Sequence, residues 1–199
     1  MSFQTIVDIQ QSMTVNNRRT IGQQVSRSGQ LTIAQYLTAV PWVFTIRPHE
    51  YLYYPQVRDI IQSIDNADRQ IPEYITFSSA NLEWFTKMQG TATAATLASA
   101  PAPNTQELTL SSNGTFKAGD FIQIGAYVYK VTADSAGTTV YINRPFIGTA
   151  SSGATVTLGK DVEFYVVAEQ CPTYTLNPMT NGAYVKWDGD FVFREYITE

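Results

Sequence analysis

Polar and apolar residues alternate over much of the chain, and the clearest alternation lies between residues 117 and 132. Residues 120–124 and 127–132 follow the period of two that half-buried strands show. Gly125 and Ala126 leave room only for a tight turn between them, and Gly125 can adopt the positive φ that such a turn needs. The alternation continues at 138–142 and 155–158. We therefore expect a small β-barrel of the SH3/OB-like type at about 104–160.

Strand patterns also lie on both sides of this barrel. In one of them Trp42, Phe44 and Ile46 share a strand face, which predicts that they are core residues. The flanking strands are alike in their aromatic content, so we expect residues 1–90 and 161–199 to form one β-sandwich. Residues 91–103, uncharged and rich in Thr, Ala and Pro, are expected to be a linker. The strand patterns lie at 5–9, 19–25, 30–36, 41–46, 71–77, 81–88, 161–167 and 186–197, with a turn at 26–29.

One segment has a helical period instead. After Pro55, which suits a first helical turn, four apolar residues recur at the spacing i, i+3, i+4 and i+7. These residues are Val57, Ile60, Ile61 and Ile64. The pattern predicts one short amphipathic helix at about 55–67 that packs against a sheet. The predicted fold class is therefore mainly β, a β-sandwich with one short helix and an inserted barrel.

The charge content is low and slightly acidic. Charged residues make up 15% of the 199 residues, below the usual figure of about 25%, and the net charge is −4. An acidic chain is a poor general binder of nucleic acid, so no sequence-specific nucleic-acid partner is expected. The one basic doublet, Arg18 and Arg19, is interpreted as solvated or ion-paired rather than as a phosphate contact.

Cysteine usage and hydropathy bear on the compartment. Cys171 is the only cysteine, which excludes an intrachain disulfide and a CxxC motif. No apolar run approaches the roughly 20 residues of a membrane span, and the N-terminus lacks a signal-peptide pattern. We expect a protein that is made and folded in a reducing cytoplasm and has no membrane partner.

Histidine and cysteine offer the only formal nucleophilic pair. His49 is the single histidine, and no nucleophile-elbow motif accompanies it. Cys171 precedes Pro172 without a helix start behind it, whereas activated thiols favour helix N-termini or nearby cations. We expect a buried Cys171 and a surface His49 rather than a catalytic dyad.

The acidic and amide motifs have plainer interpretations. Asp188 and Asp190 lack the further ligands of a calcium loop, so the Asp-Gly sequence predicts a hairpin turn. Asp161 and Glu163 are expected on one solvated strand face. Asn113 begins a formal glycosylation sequon but is interpreted as a turn residue. No catalytic, cofactor-binding or metal-binding residue is assigned, and no cofactor is expected.

Aromatic residues are numerous for a chain of this length. Most are expected in the core, with a minority at protein interfaces or stacked on a ligand. The residues considered are Tyr51, Tyr53, Tyr54, Trp84, Phe85, Tyr127, Tyr129 and Tyr141.

Several segments together resemble a known class of protein. Five segments are similar to structural proteins of tailed bacteriophages, of the distal-tail and baseplate-hub type. They comprise residues 26–30, 41–44, 69–77, 84–90 and 187–196. The barrel, entered through residues 116–121, resembles the modules inserted in those proteins. The resemblance implies a non-enzymatic virion protein that forms a ring, commonly a hexamer. It would join the tail tube to baseplate components in the phage tail after assembly in the host bacterial cytoplasm.

Three alternatives to this interpretation remain. A tail-associated carbohydrate-binding protein would present exposed aromatic residues to a host polysaccharide. A tail-completion or connector protein would share the structural role at another position. A small hydrolase would need His49 or the acidic residues in a pocket.

Overall fold

The computed structural model describes residues 3–18, 21–25, 31–35, 40–67, 71–135 and 137–198, and confirms the mainly β fold class. The helices are α1 (Phe3–Asp8) and α2 (Tyr54–Ala67), and a 3₁₀ turn spans Gly159–Asp161. The strands are β1 (Gln10–Asn16), β2 (Ile21–Val25), β3 (Leu31–Gln35), β4 (Val43–Pro48), β5 (Leu52–Tyr53), β6 (Glu73–Thr76), β7 (Ala95–Leu97), β8 (Glu107–Ser112), β9 (Phe121–Ile124), β10 (Tyr127–Lys130), β11 (Thr139–Tyr141), β12 (Thr155–Leu158), β13 (Glu163–Gln170), β14 (Tyr174–Met179), β15 (Gly182–Trp187) and β16 (Phe191–Glu195).

The main sheet has five antiparallel strands in the order β1-β4-β16-β13-β6. Its inner face is built from alternate strand residues that are almost completely buried, as the period of two predicts. Trp42, just before β4, together with Phe44 and Ile46, is buried in this core, which confirms the interpretation of segment 41–46. Aromatic rings dominate the contacts, with Phe44 and Phe164 centroids 4.9 Å apart.

The barrel sheet has six strands in the order β10-β9-β12-β7-β8-β11. Its two edge strands meet, because Val131 pairs with Ile142 and the Thr132 amide donates to the Tyr141 carbonyl at 2.9 Å. The sheet therefore curls around its own core. The predicted tight turn is present between β9 and β10, where Ile124 pairs with Tyr127 and Gly125 has a φ of 61°.

Two smaller sheets complete the β structure. The hairpin sheet, in the order β14-β15-β5, packs Val185 and Trp187 against the core of the main sheet. Strands β2 and β3 form a two-stranded antiparallel sheet between β1 and β4 in the chain. The turn predicted at 26–29 lies outside the described residues.

The helix prediction is confirmed in one place and incomplete in another. Helix α2 corresponds to the predicted helix at 55–67, and Val57 and Ile61 of its apolar stripe are buried. The segment 5–9, predicted as a strand, instead belongs largely to α1, which buries Phe3, Ile6 and Val7. Three apolar residues in five cannot distinguish a strand from one helical turn, and here packing against the core favours the turn.

Three other segments differ from their predictions. Residues 81–86 form consecutive turns, and residues 87–88 are irregular, so the predicted strand at 81–88 is absent. The run 186–197 is divided between β15 and β16, which belong to different sheets. The predicted linker at 91–103 contains β7, which pairs with β8 and β12 inside the barrel sheet. The division into a sandwich domain and an inserted barrel domain stays a prediction, because it requires independent folding.

Among the described helices, none combines the length and apolar character needed to cross a membrane.

Candidate assembly surfaces

The structure does not place His49 and Cys171 as a dyad. His49 follows β4 and is exposed, and its amide donates to the Ile9 carbonyl. Cys171 follows β13 and packs, partly buried, against the main core. Strand β16 lies between β4 and β13, so the two backbones are separated by about two strand spacings, roughly 10 Å. A catalytic dyad needs hydrogen-bond distance, and His49 and Cys171 follow two strands that are not neighbours in the sheet.

The acidic residues are also dispersed. Asp188 and Asp190 lie in the connection from the hairpin sheet to the main sheet, so the predicted hairpin turn is wrong. Asp188 accepts a hydrogen bond from the Thr175 hydroxyl, and Asp190 lies 3.7 Å from Arg47. Asp161 belongs to the 3₁₀ turn rather than to the strand of Glu163, so the two do not share a strand face. Within the described ranges, no group of three or more His, Cys, Asp or Glu side chains could hold a metal.

Asn113 has a structural role in the barrel. Its side-chain oxygen accepts hydrogen bonds from the amides of Thr93 and Ala94, at 2.9 and 3.0 Å. Its side-chain nitrogen donates to the Thr93 hydroxyl. The chain bends at Asn113 and Gly114, where a turn was predicted, and the Asn113 side chain ties the end of β8 to residues 93–94 of the segment expected to be a linker.

The largest buried polar feature joins the barrel to the main sheet. Arg144 and Glu195 are both about 1% exposed and form a bidentate ion pair, with N–O distances of 2.5 and 2.6 Å. Arg144 also donates to the carbonyls of Val40 and Val128, and Glu195 accepts from the Trp42 amide. Sequence reasoning missed this pair, because its members are separated by 51 positions and nothing local marks them.

Further contacts make this joint apolar as well as ionic. The Trp42 indole donates to the Val128 carbonyl at 2.9 Å, and its ring lies 5.5 Å from that of Phe121 in β9. Phe121 and Val128 therefore belong to the core of the main sheet although they lie in barrel strands. Buried Asp120 accepts backbone hydrogen bonds from Gln89, Gly90 and Lys117. The joint consists of structural contacts, and among the described residues the Arg144 Nε is the one side-chain nitrogen of that guanidinium without a hydrogen-bond partner.

The pKa shifts belong to such structural groups. Burial raises the pKa of Tyr129 to about 12, against an opposing hydrogen bond with the Ile147 backbone. The hydrogen bond from Arg194 lowers the pKa of Glu169, and the hydrogen bond from Lys117 lowers that of Asp134. Glu169 and Asp134 thus belong to surface ion pairs, and such pairs rarely indicate a catalytic role.

Two of the edge strands, β6 of the main sheet and β14 of the hairpin sheet, differ in their protection. At β6 the Gln4 side chain acts as a strand residue: its oxygen accepts from the Thr76 amide at 2.8 Å, and its nitrogen donates to the Thr76 carbonyl at 3.1 Å. At the outer edge of the hairpin sheet, β14 is exposed along nearly its whole length, including Leu176 and Met179. Pro178 cannot donate a hydrogen bond, so outward pairing is limited to the part of β14 before it.

Two concave regions lie beside the barrel. A groove of about 1120 Å³ runs along the outside of β7, β8 and β12, and its described lining is mostly Thr, Ser and Ala with no aromatic ring. A cleft of about 370 Å³ lies at the joint, with Trp42, Phe85 and Phe121 in its apolar lining. Arg18 and Lys130 line the same cleft and are exposed.

The aromatic residues divide between core and surface. Of the eight aromatic residues considered, Tyr127 and Tyr129 are buried, and Tyr54 and Phe85 pack partly buried against the main core, so the expectation that most of the set lies in the core is not met. Tyr51, Trp84 and Tyr141 are exposed, and Tyr51 at 68% is the most exposed large hydrophobic side chain described.

Comparison with known proteins adds no relative, because neither the protein-family models nor the curated proteins match the chain.

Proposed function

We propose that this protein is a non-enzymatic structural subunit of a bacteriophage tail that assembles into a ring at the distal tail or baseplate. The ring would join the tail tube to baseplate components, and six copies is the number that the family resemblance implies. The observation that carries the proposal is the long exposed edge of β14, with Leu176 and Met179 beside it. An edge of this kind is a template for pairing with another chain.

The interior supports the same proposal. The most deeply buried ionic group, the pair of Arg144 and Glu195, has its main donors and acceptors directed to backbone and to each other. Catalytic sites usually hold buried titratable groups near a cavity with perturbed pKa values. Here the strongly buried groups hold two sheets together, which suits a subunit that bears load.

A second candidate function is carbohydrate binding by a tail-associated protein. Trp84 favours it, because the ring is 67% exposed and its indole is held in place by a 3.0 Å hydrogen bond to the Asn81 carbonyl. Fixed exposed tryptophans suit stacking on sugars. The large groove beside the neighbouring Glu83 offers no second aromatic platform within its described lining, which makes this candidate the weaker one.

Light scattering after gel filtration, combined with tryptophan fluorescence, distinguishes the two. The structural proposal expects a closed oligomer whose fluorescence is unchanged by host polysaccharide. A monomer whose tryptophan emission is quenched by the polysaccharide, and loses that response in Trp84→Ala, would favour the carbohydrate-binding function instead.

A further inference from the structure

We propose that the subunits of this ring are joined by insertion of Tyr51 of one copy, with Glu50 beside it, into the cleft that Trp42, Phe85 and Phe121 form in the next copy. The inference rests on the proposed function and adds the partner surface to it. The partner is a second copy of this chain.

The first step is the chemistry of the cleft. Its volume of about 370 Å³ lies within the roughly 300–1,000 Å³ of sites that enclose a compact group. Trp42 and Phe121 are nearly fully buried, so the lining is rigid. Arg18 and Lys130 add two positive charges, and the described lining contains no carboxylate. The cleft therefore suits an aromatic side chain that carries an adjacent negative charge.

The second step is the chemistry of the projecting group. Glu50 and Tyr51 lie in the exposed connection between β4 and β5. At 68% exposure, Tyr51 leaves most of its ring in water, although an enclosed aromatic side chain buries roughly 150–250 Å². Tyrosine is enriched in the centres of interfaces, and a flanking acid would meet the cationic residues of the cleft.

The third step is the placement of the two surfaces. The cleft contains Val15 and Asn17 from the end of β1, next to the start of β4, because β1 and β4 are antiparallel. Tyr51 follows the other end of β4. A strand of six residues spans about 20 Å, so projection and cleft lie at opposite ends of the main sheet. Two different patches at opposite ends form a head-to-tail contact, the type that generates rings.

The test uses two complementary variants of the full chain. In the projection variant, Tyr51→Ala removes the aromatic ring and Glu50→Lys reverses the neighbouring charge. In the cleft variant, Arg18→Glu and Lys130→Glu reverse the cationic residues. All four positions are exposed, so circular dichroism should show unchanged folding. Tyr74→Ala is the matched control, because Tyr74 is also an exposed tyrosine but lies on β6 at the far edge of the sheet.

Sedimentation velocity over a wide concentration range gives the result. We expect wild type and the control to form rings, and each variant alone to remain monomeric, with association weakened about 30-fold or more. An equimolar mixture of the two variants should stop at a heterodimer, because the contact between the two altered surfaces lacks the Tyr51 ring although its charges are complementary. Combining Glu50→Lys with Lys130→Glu in one chain should restore part of the assembly.

Three outcomes would overturn the inference: a wild type that is monomeric throughout, variants that assemble as wild type does, or a mixture without heterodimer. Rings that persist in both variants would leave the proposed function intact and refute only this contact. A wild type that is monomeric in solution but occupies a ring in the phage particle would likewise refute this contact and leave the proposed function intact.

Discussion

At the scale of single residues, the buried pair of Arg144 and Glu195 is the strongest constraint on how the barrel meets the main sheet. The two charges are removed from water and compensate each other together with backbone donors and acceptors. Removing one partner leaves the other charge buried and uncompensated, which costs a large amount of stability. The intact pair, by contrast, adds little stability compared with apolar residues in the same place.

Arg144→Ala should therefore lower the free energy of unfolding by about 3–5 kcal/mol. The matched control is Arg194→Ala, which breaks the neighbouring pair with Glu169 on the surface. That change should cost less than about 1 kcal/mol, because exposed pairs are screened by water. Urea denaturation measures both. Equal losses would mean that the joint is no more important than a surface contact.

Tyr129 supplies a prediction about alkaline pH. Its folded pKa of about 12 exceeds the ordinary value of 10.0, so the folded state favours the neutral phenol. The corresponding stability is fully present below pH 10 and is lost as the pH rises towards 12, an effect of about 3 kcal/mol. Tyr129→Phe should flatten the decline over this pH range, as followed by urea titrations. At neutral pH it should cost about 1–3 kcal/mol, because the Ile147 amide loses its acceptor. An unchanged alkaline slope would show that other groups cause the decline.

At the scale of elements, local alternation predicted strands well and their partners poorly. The segment 41–46, the tight turn at Gly125 and helix α2 follow from periodicity and turn chemistry alone. The assignment of β15 and β16 to different sheets could not be predicted in this way, because an Asp-Gly sequence occurs both in hairpin turns and in connections between sheets. The segment 81–88 was predicted as a strand, but local backbone hydrogen bonds, such as that from the Lys87 amide to the Glu83 carbonyl, form turns there instead.

The edge of β6 gives an element-scale prediction. Gln4→Ala removes the side-chain amide that pairs with both backbone groups of Thr76. We expect a loss of about 1–2 kcal/mol and faster concentration-dependent aggregation, since an open strand edge pairs with other chains. Gln11→Ala, at an exposed glutamine of β1, is the control and should change neither stability nor light scattering. Aggregation at the same rate in both variants would show that Gln4 does not protect the edge.

At the scale of the whole molecule, the alternation and aromatic content predicted strands on either side of a barrel, and the strands of the main sheet do lie before and after those of the barrel sheet. The joint between them could not be predicted, because Trp42, Phe121 and Glu195 are distant in sequence and nothing in their own segments indicates that they meet. The same limit applies to the cleft, whose described lining comes from six separate stretches of chain.

Deletion of residues 100–160 tests whether the barrel is an independent insertion. The shared core suggests that joining the ends with a short Gly/Ser loop will strongly destabilise the remainder, because Phe121 and Val128 leave the core and Glu195 loses Arg144. Adding Glu195→Gln to the deletion should recover part of the stability by removing the uncompensated charge. Thermal unfolding measures both proteins. A deletion variant as stable as the parent would mean that the joint contributes little to the main sheet.

The central claim is that the protein works as one of several identical subunits in a ring at the distal end of a phage tail. A cryo-electron microscopy reconstruction of the intact particle tests this most directly, because it gives both the position and the copy number of the chain. We expect a closed ring of symmetry-related copies, six by the family resemblance, around the tail axis. A single copy per tail, or a location in the capsid shell, would contradict it.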